Sequence, residues 1–559
     1  MKKISLTIIL LIAILGGKCF YQKNRINNFL EGLSVYGYSY EIESNTFCSM
    51  KIKVNITDPE KLIAIYPKFM RENDSFTKPL LKELQKYKTT KSQSVEVTLP
   101  LFGMSAVIKT TYQYQPKPSQ KKPDQFMQYL SEKKLIKSTT KCNLFTDRCR
   151  ATYEDIDTVY KGKHFLIKGI AIDSEFESNS SVSGSGAIAE FLIEEDNTTY
   201  SAEGLSFKVL YRNGEIFDIE EVVSAKAFYI KEKNGTKSEL HGLTMGFGYF
   251  ENGTSYLKLG VEKFDLPDKE ITVHMENLNM KFSIGEKGAY LFDLDKLRFE
   301  EKSDDLKISL DGLKARYTFL DNNIYLSNGT STLKKVEVES TAIGRFIVED
   351  MEVKSSPAVD ADRLSLHERY KVARVEMKSK TEHFKLDDAK FDLAIRDLGY
   401  AVIKDYYNEM IQVFKKAFIA GFKGDPKSTR KIDKDIKMLS AKYLPRVGEI
   451  LKYGIKVDLN ALSFSHLTMK GKDAKEMQID GKVVLPKMTL QDIMGGTYSS
   501  KHLPIESLKA KAKIPATLLE IMAFPEAEFP FKLKKEGALR IIDIEYKKGI
   551  LLFNGDAIK

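Results

Sequence analysis

The sequence predicts a mainly β protein with helical insertions (α+β), an elongated antiparallel sheet built from hairpin repeats of ~36 residues behind an N-terminal membrane anchor. Three observations carry this: a recurring phrase, the alternation inside it, and the turn residues that follow it. The phrase is an apolar residue, two mostly polar ones, then a Leu-led strand. It starts at Leu205, Leu243, Leu278, Leu313, Met351, Ala389, Leu462 and Leu508, in steps of 38, 35, 35, 38, 38, 73 and 46 residues. The 73-residue step reads as about two periods. Repetition on this scale implies one supersecondary unit stacked many times, each copy burying the apolar face its neighbour exposes.

Within the copies every second residue is apolar, as a strand with one buried face requires. The registers are Leu205, Phe207, Val209, Tyr211; Leu243, Met245, Phe247, Tyr249; Leu278, Met280, Phe282, Ile284; Leu313, Ala315, Tyr317, Phe319; Ala389, Phe391, Leu393, Ile395; and Leu508, Ala510, Ala512, Ile514. In a chain that is 42% apolar, four specified positions are all apolar by chance roughly 3% of the time, so six registers are not noise. Met351 and Leu462 begin poorer copies. Asn213-Gly214, Asn252-Gly253, Gly285 to Gly288 and Asp321 to Asn323 supply hairpin turns. Apolar spacing of three and four is missing from these segments, which disfavours a helical repeat. A compact antiparallel sandwich with evenly spaced strands is the competing architecture.

Taken in order, residues 1–21 form a signal or anchor segment: Met1-Lys2-Lys3, then an apolar run from Ile4 to Gly17. The run suits a signal-peptide core and is short for a bilayer span unless Cys19, Phe20 and Tyr21 extend it. Cleavage is left open, so a soluble periplasmic form is the alternative to a tethered one. Residues 22–150 are a mixed α/β region. A stalk continues from Asn27 to Leu33, strands fall at Tyr38 to Ile42, Cys48 to Val54, Val95 to Leu101 and Ser105 to Tyr114, and helices at Leu62 to Met70, Lys78 to Tyr87 and Asp124 to Lys134. Residues 151–400 form the hairpin-repeat region, in which the Ser- and Gly-rich Ser178 to Gly186 reads as a flexible loop. Residues 401–455 are a helical insertion: Tyr406, Met410, Phe414, Phe418 and Phe422 make an i, i+4 stripe, Gly424-Asp425-Pro426 breaks it, and a second helix runs from about Ser428 to Tyr453. Residues 456–559 are a C-terminal β region with a short helix, closing in a hairpin through Lys548-Gly549.

Lys and Arg number 87 against 77 Asp and Glu, a net charge of +10. The charges are mixed along the chain, which excludes a dedicated nucleic-acid stripe and permits attraction to anionic lipid headgroups. Cys142 and Cys149 could close a short loop in an oxidising compartment, contributing about 2.5 kcal/mol on a chain-entropy basis, or stay as thiols; the disulfide is the favoured reading. Of the Asn-x-Ser/Thr sites, Asn179, Asn197 and Asn234 have a Glu two positions earlier, a pattern that resembles the acceptor of bacterial oligosaccharyl transferases. The plain hairpin-turn reading is preferred there.

The sequence carries none of the common signatures of catalysis or metal binding. The seven histidines are scattered without metal-ligand spacing, and His367-Glu368 lacks the second His of a zinc-protease helix, Lys371 standing in its place. No Walker loop, dinucleotide fingerprint or nucleophile elbow occurs. Neither catalytic residues nor a metal or other cofactor is expected.

The basic start and apolar run ending in Gly16-Gly17, Tyr21-Gln22-Lys23 leading to Ile26 and Leu30-Glu31, the Tyr40 to Met50 segment and the strand Lys51 to Ile56 together resemble the YdgA-like family of bacterial inner-membrane-anchored periplasmic proteins of unknown function. Phe418 to Pro426, Leu508 to Met522 and Gly549 to Asn554 are similar to that family's helical insertion, strand-to-helix step and terminal hairpin. The resemblance implies an inner-membrane anchor, a periplasmic bulk and no assigned activity. Cys142 and Cys149 are not part of it.

The expectation is a non-enzymatic, membrane-tethered periplasmic protein whose β-repeat sheet is a binding scaffold in envelope integrity or assembly. The alternative is an apolar groove for phospholipid, which resembles the anchor-plus-repeats plan of AsmA-like lipid conduits; an envelope hydrolase comes last. Phe207, Phe247, Phe282, Tyr317 and Phe391 would line such a groove or fill a dry core. Its expected partners are the inner membrane, a phospholipid or an envelope protein, and no nucleic acid.

Overall fold

The computed structural model describes residues 23–24, 26–28, 31, 38–46, 49–56, 92–98, 105–111, 125–143, 146, 148–177, 181–212, 218–250, 254–285, 288–321, 323–421, 426–488, 505–524, 526, 529, 531–547 and 549–558. The anchor segment, the helices expected at 62–70 and 78–87, and the turns at 213–214 and 252–253 lie outside them. The protein is mainly β, with antiparallel pairing throughout and few helices. The chain divides into two compact units, 1–259 and 260–559.

The first unit contains β1 (Tyr38–Asn45), β2 (Ser49–Ile56), β3 (Ser92–Thr98), β4 (Ser105–Thr111), α1 (Gln125–Glu132), β5 (Lys137–Asn143), β6 (Arg148–Tyr153), β7 (Ile156–Tyr160), β8 (Lys163–Lys168), β9 (Ala171–Glu177), β10 (Ser181–Glu195), β11 (Thr198–Arg212), β12 (Asp218–Glu232) and β13 (Lys237–Tyr249). Neighbours in sequence pair from β1 to β6, β6 pairs with β9, and the ladder continues from β9 to β13. The β7–β8 hairpin lies along the far half of β10. The division between units falls inside β14 (Ser255–Pro267).

The second unit contains β15 (Ile271–Ile284), β16 (Ala289–Glu301), β17 (Leu306–Leu320), β18 (Asn323–Ser340), β19 (Gly344–Ser355), β20 (Ala358–Asp360), β21 (Arg363–Lys378) and β22 (His383–Gly399). After them come α2 (Tyr400–Gly421), α3 (Pro426–Tyr443), α4 (Val447–Leu451), β23 (Ile455–Met469), β24 (Lys472–Leu485), β25 (Ser507–Pro515), α5 (Ala516–Ile521), β26 (Lys534–Glu536), β27 (Leu539–Lys547), β28 (Ile550–Phe553) and β29 (Asp556–Ile558). The main ladder is a meander from β15 to β19, then β21 to β25, then β27 to β29.

The repeated phrase falls on β11, β13, β15, β17, β19, β22, β23 and β25. The 73-residue step is not two periods. Ala389 and Leu462 lie on neighbouring antiparallel strands, with Phe391 opposite Leu462, because the whole helical insertion occupies a single connection.

Two further expectations change. Ser181 to Gly186 is no loop: it is the first half of β10, paired on one side with β9 and on the other with β11. Glycine is tolerated there because the Phe207 ring lies where a Cβ of Gly186 would be, so the neighbour supplies the packing the residue lacks. The second insertion helix does not run unbroken to Tyr453. It starts at Pro426, a residue suited to a first helical position, and ends at Tyr443. A 3-10 turn, Leu444–Arg446, then leads into α4, since Pro445 has no N–H to continue the ladder.

The insertion is pinned at its root. The Asp362 carboxylate accepts the Ala401 backbone N–H at 2.7 Å and the Tyr453 hydroxyl at 2.9 Å, and pairs with Lys452. A carboxylate on the first turn of α2 also meets the positive end of the helix. Lys452, then that backbone bond, hold the Asp362 pKa below the usual carboxylate range against the opposing effect of burial. Val402, Met410, Leu439 and Tyr443 form the core between α2 and α3, with Tyr406 and Tyr443 edge to face at 5.3 Å.

Candidate functional site

The long strands carry a residue in the left-handed region at mid-length, one place before each of the first six repeated apolar residues. These are Gly204, Gly242, Asn277, Gly312, Asp350 and Asp388, with φ of 58°, 60°, 53°, 63°, 47° and 53°. All are Gly, Asn or Asp, the types that enter this region most readily. The register passes through unbroken: Leu297 faces Leu310 and Leu294 faces Leu313 on either side of Gly312. The apolar alternation nonetheless changes phase, from Ile308 and Leu310 before Gly312 to Leu313 and Ala315 after it.

A regular strand would put residues three apart on opposite faces. Here Phe464 and Leu467 share one core cluster with Leu518 and Ile521 of α5. Ala474 and Met477 join the same cluster from either side of Glu476, whose φ is 26°. At this strand pair the crease at Glu476 returns apolar side chains to one core cluster.

In the second unit the apolar face is ordered in rows. Val273, Phe299, Ile308, Val338, Phe346, Met377, Phe384 and Met469 stand opposite one another, strand after strand. Met275, Leu297, Leu310, Val336, Val348, Val375, Leu386, Leu467 and Ala474 form the next row. Helices cover parts of this face: α5 seals the end at Phe464 and Ala474, and Tyr400 of α2 packs on Leu326 and Leu364. Phe282 and Tyr317 share a row through Tyr290. Phe391 lies between Tyr370 and Leu462. All three of these aromatic side chains are half-buried.

The first unit repeats the pattern with less cover. Phe191, Ala202, Phe228 and Leu240 form one row, and Gly186, Phe207, Val223 and Met245 another. In the second row Phe207 is 39%, Val223 50% and Met245 52% exposed. Phe247 lies opposite Glu221 and is half-buried. Cys142 and Cys149 are direct cross-strand partners with S–S 2.12 Å. Asn197 and Asn234 both sit in hairpin turns; Asn234 accepts the Thr236 N–H at 2.8 Å. Asn179 lies outside the described residues.

On the charged face of the second unit, cations and carboxylates alternate in closed sets. Asp392 is bonded by Arg369, His367 and Asn460 at 2.7–2.9 Å. Burial opposes its ionisation, yet Asn460, His367 and Arg369 hold its pKa down to about 2. His274 sits between Asp265 and Glu276, whose hydrogen bonds raise the imidazole pKa in that order. Glu337 bridges Lys335 and Arg345, and Glu376 bridges Arg374 and His383. Among the described residues no group of three or more His, Cys, Asp or Glu is arranged to hold a metal ion. No described helix is long and apolar enough to cross a membrane.

A mainly β protein whose antiparallel strands carry apolar rows on one face and clusters of ion pairs on the other is thus defined by its surfaces. The chain belongs to a family of bacterial proteins of unknown function, DUF945, whose family model matches residues 243–559. No curated protein and no solved structure matches it. Sequence reading missed the creases, although their signal is present: Gly, Asn or Asp directly before the repeated apolar residue.

Proposed function

We propose that this is a non-enzymatic envelope protein, tethered by its N-terminal segment to the bacterial inner membrane with its bulk in the periplasm. Its elongated, hairpin-built sheet would act as a binding scaffold in envelope integrity or assembly. The reading is carried by the uncovered apolar row of Phe207, Val223 and Met245. Three adjacent strands present large apolar side chains to solvent, at a cost of roughly 25 cal/mol per Å² of apolar area left wet, and a bound partner would remove that cost. A second reading lays a phospholipid acyl chain along the same row, which the Phe207 ring over Gly186 and the half-exposed Met245 favour by making a smooth apolar track.

Native mass spectrometry of the detergent-extracted full chain tests both. A complex with an envelope protein that is lost in Val223→Glu supports the scaffold. Stoichiometric phospholipid lost in the same variant supports the acyl-chain reading. Complexes that form equally with Val223→Glu overturn both. Protease accessibility of the C-terminal hairpin in spheroplasts tests the placement: protection with an intact inner membrane would put the bulk on the wrong side.

A further inference from the structure

We infer that the charged face of the first unit carries a binding site for a phosphate-bearing anion, in a trough of about 430 Å³ between β5, β6, β9, β10 and β11. Alternation sets this site apart from the apolar row: Lys208 and Ser185 point away from the face of their neighbours Phe207 and Gly186. The inference therefore does not depend on the function proposed above.

The trough is lined by four cations, Lys141, Arg148, Arg150 and Lys208, against two carboxylates, Asp173 and Glu175. One carboxylate is committed, since Arg148 and Glu175 pair at 2.8 Å. The other is held loosely, with Arg150 and Asp173 3.8 Å apart. Among the described residues neither Lys141 nor Lys208 has a carboxylate partner. Such uncompensated charge contrasts with the second unit, where Glu337 and Glu376 each bridge two cations.

The register makes the excess sharper. Lys141 stands directly opposite Arg150, an arrangement of like charges that destabilises a strand pair. The Cys142–Cys149 link, one residue along on the reverse face, clamps the same two strands and holds the two cations together when nothing lies between them. An anion in the trough would relieve the repulsion. Ser183 and Ser185 on β10 add hydroxyl donors between the Arg150 and Lys208 sides. Guanidinium, ammonium and hydroxyl donors converging from several strands suit the multiple acceptor oxygens of a phosphate group better than a single carboxylate. From β5 to β11 the row crosses four strand spacings, about 19 Å, room for more than one such group.

The test uses the detergent-solubilised full chain, titrated calorimetrically with inorganic tripolyphosphate and, separately, with a short-chain phosphatidylglycerol. Saturable binding that weakens with salt, and that falls by roughly tenfold in Lys141→Gln/Lys208→Gln, is the expected result. Both lysines are exposed and, among the described residues, unpaired, so the double variant should fold; an unchanged urea midpoint checks this. Lys335→Gln, at a neutralised cluster in the second unit, should bind like the parent. Binding of tripolyphosphate alone identifies a soluble phosphorylated ligand, and binding of the lipid alone identifies a headgroup. No saturable binding of either probe, or equal binding by the double variant, overturns the site.

Discussion

The two units are built from the same creased strands, yet they treat their surfaces differently. In the second unit α5 and the root of the helical insertion cover stretches of the apolar face, and carboxylates on the other face are closed into sets with Lys, Arg and His. In the first unit Phe207, Val223 and Met245 are 39–52% exposed, and among the described residues Lys141 and Lys208 have no counter-ion. The strands obey one local rule in both. What differs is what the connections bring back onto the sheet. A β-repeat can thus be a sealed structural element or an open surface without changing its own pattern: Leu467 is covered by α5, whereas Phe207, Val223 and Met245 stand open on three neighbouring strands.

The comparison breaks if the two apolar faces cost the same to disrupt. Leu467→Ala removes a side chain packed with Phe464, Leu518 and Ile521 and should lower stability by about 2–5 kcal/mol. Val223→Ala, half exposed, should cost less than about 1 kcal/mol. Urea unfolding of the full chain, followed by transitions assigned to each unit, measures both. Equal losses would mean that the first unit's row is covered in solution.

A smaller effect sharpens the shared rule. Gly312→Val places a β-branched residue at φ 63° and brings its Cβ to 3.0 Å from that of Lys334. A loss of about 1–3 kcal/mol is expected, and Gly312→Asn should recover most of it, as Asn277 occupies the matching place in β15. If valine is tolerated, the left-handed residue is not what sets the crease.

The smallest effect concerns the ionic face. The His274 pKa is raised by its hydrogen bonds to Asp265 and then Glu276. A raised imidazole pKa contributes stability that is complete below the unfolded value, near 6.5, and disappears as pH rises through the folded one. His274→Gln should therefore cost more at pH 5.5 than at pH 9, by under about 1 kcal/mol given the pair's partial exposure. A cost that does not change with pH would assign His274 a packing role instead.

Much of the fold was readable because period-two alternation survives in the second half of each strand, from Leu205 to Tyr211 and from Leu313 to Phe319. The first halves were obscured by the phase change at Gly204 and Gly312: a single left-handed residue re-aims the chain, so a strict two-residue count stops there. At Ser181 to Gly186 composition favours a loop, whereas pairing with β9 on one side and β11 on the other makes the segment a strand. The trough was half readable. A Cys142–Cys149 pairing places Lys141 opposite Arg150, but nothing in the sequence brings Lys208 alongside them.

Local backbone preferences and side-chain alternation account for most of the strands and their spacing and for the presence of a helical insertion. Which apolar rows are covered, and which of the described cations lack partners, follows from tertiary contacts instead. Burial and charge compensation depend on groups distant in sequence, such as Leu518 over Leu467 or Lys404 against Asp321, and the register of several successive strands has to be in place before such neighbours exist.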